Sequence, residues 1–394
     1  MDKKNKRIFF ISNSTVPLND NAGGSVVIYR HLKRLKDDGY HVIVVYLNTI
    51  SQSKKDNIEF EFHCVEKKSW HPPIRKKTPF LTRLRISFTF TDLDKKFQFD
   101  QKNDLILGIM GEASNLLFIK LKKRSHIPYF LFFHDDHVFN RYGSENLLTS
   151  RNVVDILSNS DFIFSVSDQL TNLIREKKYN QVETLFPIPN GIIGDIKEFG
   201  PKNSGELNLA VSGNFGANHF EMLKRIGKAA KEAGSRFFCL SKLPESCYDQ
   251  LHWDDSVIAR PMFPTLLELF DFILNEIDAL VVFYSFDPIN EPRLLTSFPS
   301  KFIEYCHLGL PIIIVAPLES SIGNWAQQNN WQSYVQVNDQ AMITLLIEKL
   351  KDRSFWNKCK EQSLLFANNK FNPDIIHNQF IQHLGFHPDQ SSVN

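Results

Sequence analysis

What most constrains this chain is a recurring pair: a short unbroken apolar run, then a stretch with helical periodicity. Ile8–Ser12 precedes Gly24–Asp38, Leu105–Ile109 precedes Ser114–Lys123, and Phe162–Val166 precedes Gln169–Lys177; Val42–Leu47 and Tyr129–Phe133 are further runs of the same kind. A strand that is apolar on both faces must be covered on both faces, the condition of a parallel sheet wrapped by helices. The first half therefore reads as an α/β doubly wound domain.

Proline and glycine cluster in Phe186–Gly205, after which the alternation restarts. Leu207–Ser212, Arg236–Leu240, Val257–Ala259, Ala279–Phe283 and Pro311–Val315 read as strands, and Phe220–Ala233, Thr265–Asn275 and Pro299–Leu308 as helices. Breaks of this composition mark domain boundaries. The expected organisation is a Rossmann-like domain over residues 1–198, a second over 199–373, and a C-terminal helix within 374–394 packing back on the first, with Pro373 suited to its start. Open α/β sheets bind ligands outside the carboxyl ends of their strands, so two facing domains would share one central cleft there.

Composition narrows the function. With 42% hydrophobic and 23% charged residues the chain is a folded protein. Its five cysteines form no C-x-x-C pair, which excludes a zinc cluster or thioredoxin-type motif and leaves them as buried small side chains in a reducing compartment. No run of about 18 apolar residues occurs, and the apolar run after the basic N-terminus is too short for a signal peptide. The expected location is cytoplasmic, with any membrane contact peripheral. The net charge of +2 argues against a general nucleic-acid binder, yet it is a cancellation: residues 1–130 hold 24 Lys and Arg against 13 Asp and Glu, and residues 131–394 hold 22 against 31. Within His63–Phe99, Trp70, Arg75-Lys76-Lys77, Arg83, Arg85 and Lys95-Lys96 interleave with Phe80, Phe88 and Phe90. Such a segment suits an acidic acceptor, an anionic membrane or single-stranded nucleic acid, or is a solvated face.

Three segments carry residues suited to chemistry. Asn21-Ala22-Gly23-Gly24-Ser25 lies between a strand and a helix, where glycines admit close backbone approach and a helix N-terminus favours a diphosphate. It is neither G-x-G-x-x-G nor a Walker loop, and an ordinary glycine turn would read the same way. Phe132-Phe133-His134-Asp135-Asp136-His137 follows an apolar strand. There His134 and Asp135 suit polar contact with a sugar or leaving group better than metal ligation, because adjacent side chains diverge. In the third segment, Ser297–Pro311, Pro299 would open a helix whose first N–H groups, at Ser300 and Lys301, face a phosphate. Glu304, one turn on, can accept both hydroxyls of a ribose; a solvated Lys301–Glu304 pair is the plainer reading of this segment taken alone.

Five motifs fall in one order across about residues 8–385: Gly23-Gly24 opening a helix that ends Leu35-Lys36-Asp37-Asp38-Gly39-Tyr40-His41-Val42; His134-Asp135; Ser160-Asp161-Phe162-Ile163-Phe164-Ser165-Val166-Ser167; Pro189-Asn190-Gly191-Ile192; and Pro299-Ser300-Lys301-Phe302-Ile303-Glu304-Tyr305 with Gly309-Leu310-Pro311. In this order the chain resembles GT-B fold glycosyltransferases of the GT4-like retaining group, glycosyl transferases group 1. The resemblance implies two Rossmann-like doubly wound domains facing a central cleft. It implies a hexosyltransferase using a UDP- or GDP-sugar, with a glycan or lipid-linked saccharide as acceptor, in cell-surface polysaccharide or glycoconjugate synthesis. Transfer would proceed with retention and without a metal or other cofactor. Gly23 and Gly24 would approach the diphosphate, His134 and Asp135 would serve the transferred sugar, Ser300 and Lys301 would hold the phosphates, and Glu304 the ribose. The first domain would receive the acceptor, so its positive charge implies an anionic acceptor or membrane surface rather than nucleic acid.

Two departures stand out. Where this group carries Gly-Arg and then Lys after the first strand of the second domain, the chain reads Gly213-Asn214-Phe215-Gly216-Ala217-Asn218-His219. Gly213, Asn214 and His219 keep donor-side positions, and His219, Lys301, Arg260 and Arg293 are the candidate replacements for the lost cations. The first Glu of the group's E-x7-E pair is Thr296, with Glu291 and Asp287 nearby but out of register. The lost Glu reads as a trait of a subgroup, whereas the missing cations motivate an alternative, a non-catalytic GT-B partner subunit or binding module of an active glycosyltransferase; a sugar-nucleotide epimerase is a third reading.

Overall fold

The apolar runs become the strands of two wholly parallel sheets. The computed structural model describes residues 6–19, 23–48, 50–65, 89–112, 114–134, 139, 150–190, 205–241, 255–286 and 292–385. Asn21, Ala22, Asp135, Cys247, Asp287, Glu291 and residues 66–88 of the basic aromatic segment lie outside them. The chain divides into two units, Met1–Ile188 with Ile376–Asn394, and Pro189–Ile375.

The first unit holds β1 (Arg7–Ser12), β2 (His41–Tyr46), β3 (Glu61–Cys64), β4 (Asp104–Ile109), β5 (Tyr129–Phe133), β6 (Phe162–Ser165) and β7 (Val182–Thr184). They lie in the order β3-β2-β1-β4-β5-β6-β7. All five residues of β5 are buried, at about 1.5–3 kcal/mol for each large apolar side chain. At the amino end of the sheet, Arg7 forks onto Asp104, Nε to Oδ1 at 2.7 Å and Nη2 to Oδ2 at 2.6 Å, and so fixes β1 against β4. That hydrogen bond to Asp104 is also what raises the Arg7 pKa.

The C-terminal helix, Pro373–His383, starts at its proline, with Asn372 Oδ1 accepting the N–H of Asp374 at 2.8 Å. From Ile376 onward it belongs to the first unit. Phe380, fully buried, meets the rings of His31, Phe132 and Phe164 at 5.1, 5.5 and 5.0 Å. His377 pairs with Asp38 and His383 with Glu183, both at 2.8 Å.

The second unit holds β8 (Asn208–Gly213), β9 (Arg236–Ser241), β10 (Ile258–Pro261), β11 (Ala279–Phe283), β12 (Ile312–Val315) and β13 (Tyr334–Val335), in the order β10-β9-β8-β11-β12-β13. Trp356 is fully buried on the helix Arg353–Asn368 and donates from Nε1 to Asp278 O at 2.9 Å. Cys239, Cys306 and Cys359 are buried and Cys64 partly so, all free thiols. Among the described residues, no helix is long and apolar enough to cross a membrane. In each sheet the strand order reverses direction once, between β1 and β4 and between β8 and β11, and the carboxyl ends of those pairs are where a doubly wound sheet opens a crevice.

Candidate functional site

In the second unit that crevice is assembled on the helix Ser300–Cys306. Pro299 is the extended residue immediately before this helix rather than within its first turn. The preceding loop is pinned at Ser297 O, which accepts from Tyr284 Oη at 2.9 Å and from Ser321 Oγ. Tyr305, buried, bolts the helix to the end of β8: its Oη accepts the N–H of Ser212 and hydrogen-bonds Ser212 Oγ, each at 2.9 Å. Burial pushes the Tyr305 phenol up, so it stays a neutral partner.

With the helix so placed, Lys301 reaches across Gly213. Its Nζ donates to Ser212 O at 2.6 Å and lies 5.9 Å from the centre of the Phe215 ring. Lys301 is exposed as a residue, but its ammonium is the end against the sheet, and loss of water there pushes its pKa down to about 8. Gly213 is what permits this reach, since a Cβ there would stand 2.3 Å from Lys301 Nζ and 3.1 Å from Phe215 Cζ. Both atoms end side chains able to swing away, so Gly213→Ala is expected to fold with a melting temperature near that of the parent. If the site takes the diphosphate that the sequence resemblance implies, the substitution should weaken its binding roughly tenfold by dislodging the ammonium. Calorimetric titration with UDP checks this, and unchanged affinity would remove the role given to Gly213.

The remaining residues expected on the donor side are placed as follows. Glu304 Oε2 accepts the N–H of Asn190 at 3.0 Å. His219 Nδ1 accepts the N–H of Gly216 at 3.0 Å, which puts the proton of the neutral ring on Nε2. Its ring meets Phe215 at 5.6 Å, and Phe215 stacks on Phe283 at 5.6 Å, so an aromatic shelf lies beside the Lys301 ammonium. Asn214 is exposed and Ser300 half-buried on the same rim. Arg260 goes elsewhere: its guanidinium lies over the rings of Phe238 and Phe272, at 5.5 and 5.2 Å. The site thus joins Gly213, His219 and Lys301, with Phe215 as a member that the sequence reading treated only as a departure.

No family model matches the sequence, and no curated protein matches it. Solved structures do match in shape. A glycosyltransferase of Rickettsia africae ESF-5 is 12% identical over 97% of this chain and 98% of its own, with a TM-score of 0.68. TarM is 8% identical over 96% and 98%, again at 0.68. Anabaena Alr3699/HepE, in complex with UDP and glucose, is 10% identical over 96% and 99%, at 0.63. The fold is GT-B.

In the GT-B chain's first unit, one expected residue, His134, stands at the carboxyl end of a strand. His134 follows β5 directly, its ring stacked on Phe132 at 5.9 Å. Gly23 and Gly24 open helix α1 (Gly23–Asp37). A Cβ on Gly24 would meet nothing within 4 Å, and its backbone is not left-handed, so neither packing nor conformation demands a glycine there. Sequence reading passed over Glu112, which follows β4 and is buried. An acidic residue straight after an apolar run was the available signal.

Proposed function

We propose that this chain is a nucleotide-sugar-dependent glycosyltransferase, moving a hexosyl group from a UDP- or GDP-sugar to a glycan or lipid-linked saccharide acceptor. The observation that carries the reading is the Lys301 ammonium held over Gly213 at the end of β8, with Glu304 one turn further along the same helix. A cation over a glycine suits a diphosphate, and a carboxylate beside it suits the ribose diol. HepE structures holding UDP and UDP-glucose on the same fold support the donor class. WaaG, 15% identical with a TM-score of 0.55 and titled a glycosyltransferase of lipopolysaccharide biosynthesis, supports the acceptor class.

Under this reading the leaving diphosphate collects negative charge as the glycosidic bond breaks, and Lys301 offsets that charge while the His219 Nε2–H donates to it. His134 and Asp135 serve the transferred sugar, Gly23 and Gly24 the diphosphate, and transfer proceeds with retention and without a metal. The work is in the cytoplasm, at the membrane's inner face, with the basic first unit toward an anionic acceptor or lipid. The absence of both cations from Gly213–His219 favours one second reading, a non-catalytic partner subunit, which donor binding without turnover and co-purification with an active transferase would support.

A thermal-shift screen over UDP- and GDP-sugars, followed by assay of sugar release, tests the proposal, because a ligand that binds only the folded chain raises its melting temperature. Absence of both binding and hydrolysis for every donor tried would overturn it. The pH dependence is specific. Lys301 has a lowered pKa of about 8, so it is charged below that pH and neutral above it. Affinity for UDP-glucose should hold from about pH 7 to 8 and then fall up to tenfold per unit, while Lys301→Gln stays flat; parallel profiles would exclude the Lys301 contact.

A further inference from the structure

We propose that Glu112 and Ser25 are positioning residues that clamp residues 13–18, the stretch leaving β1, from opposite sides and so preset the approach to Gly23-Gly24. The kinetic part of this proposal rests on the donor-transfer reading above; the structural part does not.

Glu112 stands just past β4 at the point where the first sheet reverses its strand order, 6% exposed. Its Oε1 accepts from Ser12 Oγ at 2.8 Å, Ser14 Oγ at 2.6 Å and the N–H of Thr15 at 3.2 Å. Its Oε2 accepts from the N–H of Asn13 at 2.7 Å and from Ser114 Oγ at 3.1 Å. Ser12 Oγ takes the N–H groups of Ser14 and Thr15, at 3.2 and 2.8 Å, and Asn13 Oδ1 takes that of Ser114 at 2.8 Å. From the helix side, Ser25 Oγ donates to Val16 O and accepts the N–H of Leu18 at 3.2 Å. Residues 13–15 are thus held by Glu112 and Ser12, and residues 16 and 18 by Ser25.

The five groups touching Glu112 are two backbone N–H groups and three serine hydroxyls, none of them a cation, so its two oxygens serve as the shared acceptors of the cluster. With its lone pairs engaged, Glu112 is no general base. An amide is no substitute either: turned one way its NH2 faces the Thr15 N–H, turned the other way the Asn13 N–H. Nor does the sheet need this cluster, because β1 and β4 already pair by backbone and are locked at their far ends by Arg7 and Asp104. What the cluster holds is the loop itself, at the end of the sheet where doubly wound folds bind ligands. Gly24, with open space where a side chain would be, lies directly beyond the Ser25 clamp's reach along the chain.

The test compares the full-length parent with Glu112→Gln, Glu112→Asp and Ser25→Ala, by UDP-glucose hydrolysis and by hydrogen exchange in peptides covering residues 13–18. Glu112→Gln should lower kcat by about 100-fold, the loss typical of an ångström-scale misplacement, with KM for UDP-glucose within about threefold. Exchange should quicken in residues 13–18 and not in β1 or β4. Glu112→Asp should recover part of kcat, and Ser25→Ala should move both readouts less, in the same direction. An unchanged kcat, or exchange that quickens across the whole first unit, would overturn the positioning role. If the parent hydrolyses neither UDP-glucose nor other UDP- and GDP-sugars, the donor-transfer reading has failed separately, and the loop exchange of Glu112→Gln decides the clamp alone: unchanged protection refutes it.

Discussion

Replacing Lys301 with glutamine is expected to weaken UDP binding about 10- to 100-fold while leaving the melting temperature nearly unchanged. Hydrogen bonds involving a charged group contribute roughly 1.5–3 kcal/mol, which spans that range. In the free protein the ammonium has exchanged water for one carbonyl, Ser212 O, and its pKa has dropped to about 8, so a diphosphate would relieve an incompletely compensated charge. Stability should barely respond, because Tyr305, not Lys301, anchors the helix. Arginine should not restore binding fully: its planar fork is bulkier than the ammonium that lies over Gly213 against Ser212 O. Calorimetry with UDP and GDP on folded Lys301→Gln is the measurement, and parental affinity would sink the site as assigned.

A second substitution should act on the fold. Phe380→Ala removes a fully buried ring from the pocket formed by His31, Phe132 and Phe164, and should cost about 3–5 kcal/mol. For a unit of this size that lowers the melting temperature by roughly 6–20 °C. Two units need not melt together, so scanning calorimetry is the right probe, with the loss expected in the transition that contains the first unit. The same ring supports Phe132, on which His134 stacks, so activity should decline before melting begins. Parental melting would mean that residues 376–383 contribute no packing.

The central strands were legible because five or six consecutive apolar residues admit few other fates; Tyr129–Phe133 was read to its exact ends. β3, β7 and β13 were not, being two to four residues long and partly exposed, with too few positions to show a period. Lys301 and Glu304 were legible as a local motif on one helix. The bond from Tyr305 to Ser212 and four of the five donors around Glu112 were not, since they join residues about a hundred positions apart and exist only once strand order is known. Arg260 shows the converse: its charge made it a candidate, but two aromatic rings had a stronger claim on it.

The return of the C-terminal helix to the first unit sets an order of events during synthesis. A ribosome that has finished β1 through β7 has made a sheet whose pocket at His31, Phe132 and Phe164 is still unfilled. All of Pro189–Ile375 must then emerge before Phe380 arrives to fill it. Domains made during translation ordinarily fold in the order of their synthesis. Here the unit begun first is the one completed last, and until then an aromatic hollow stands open for chaperones to cover.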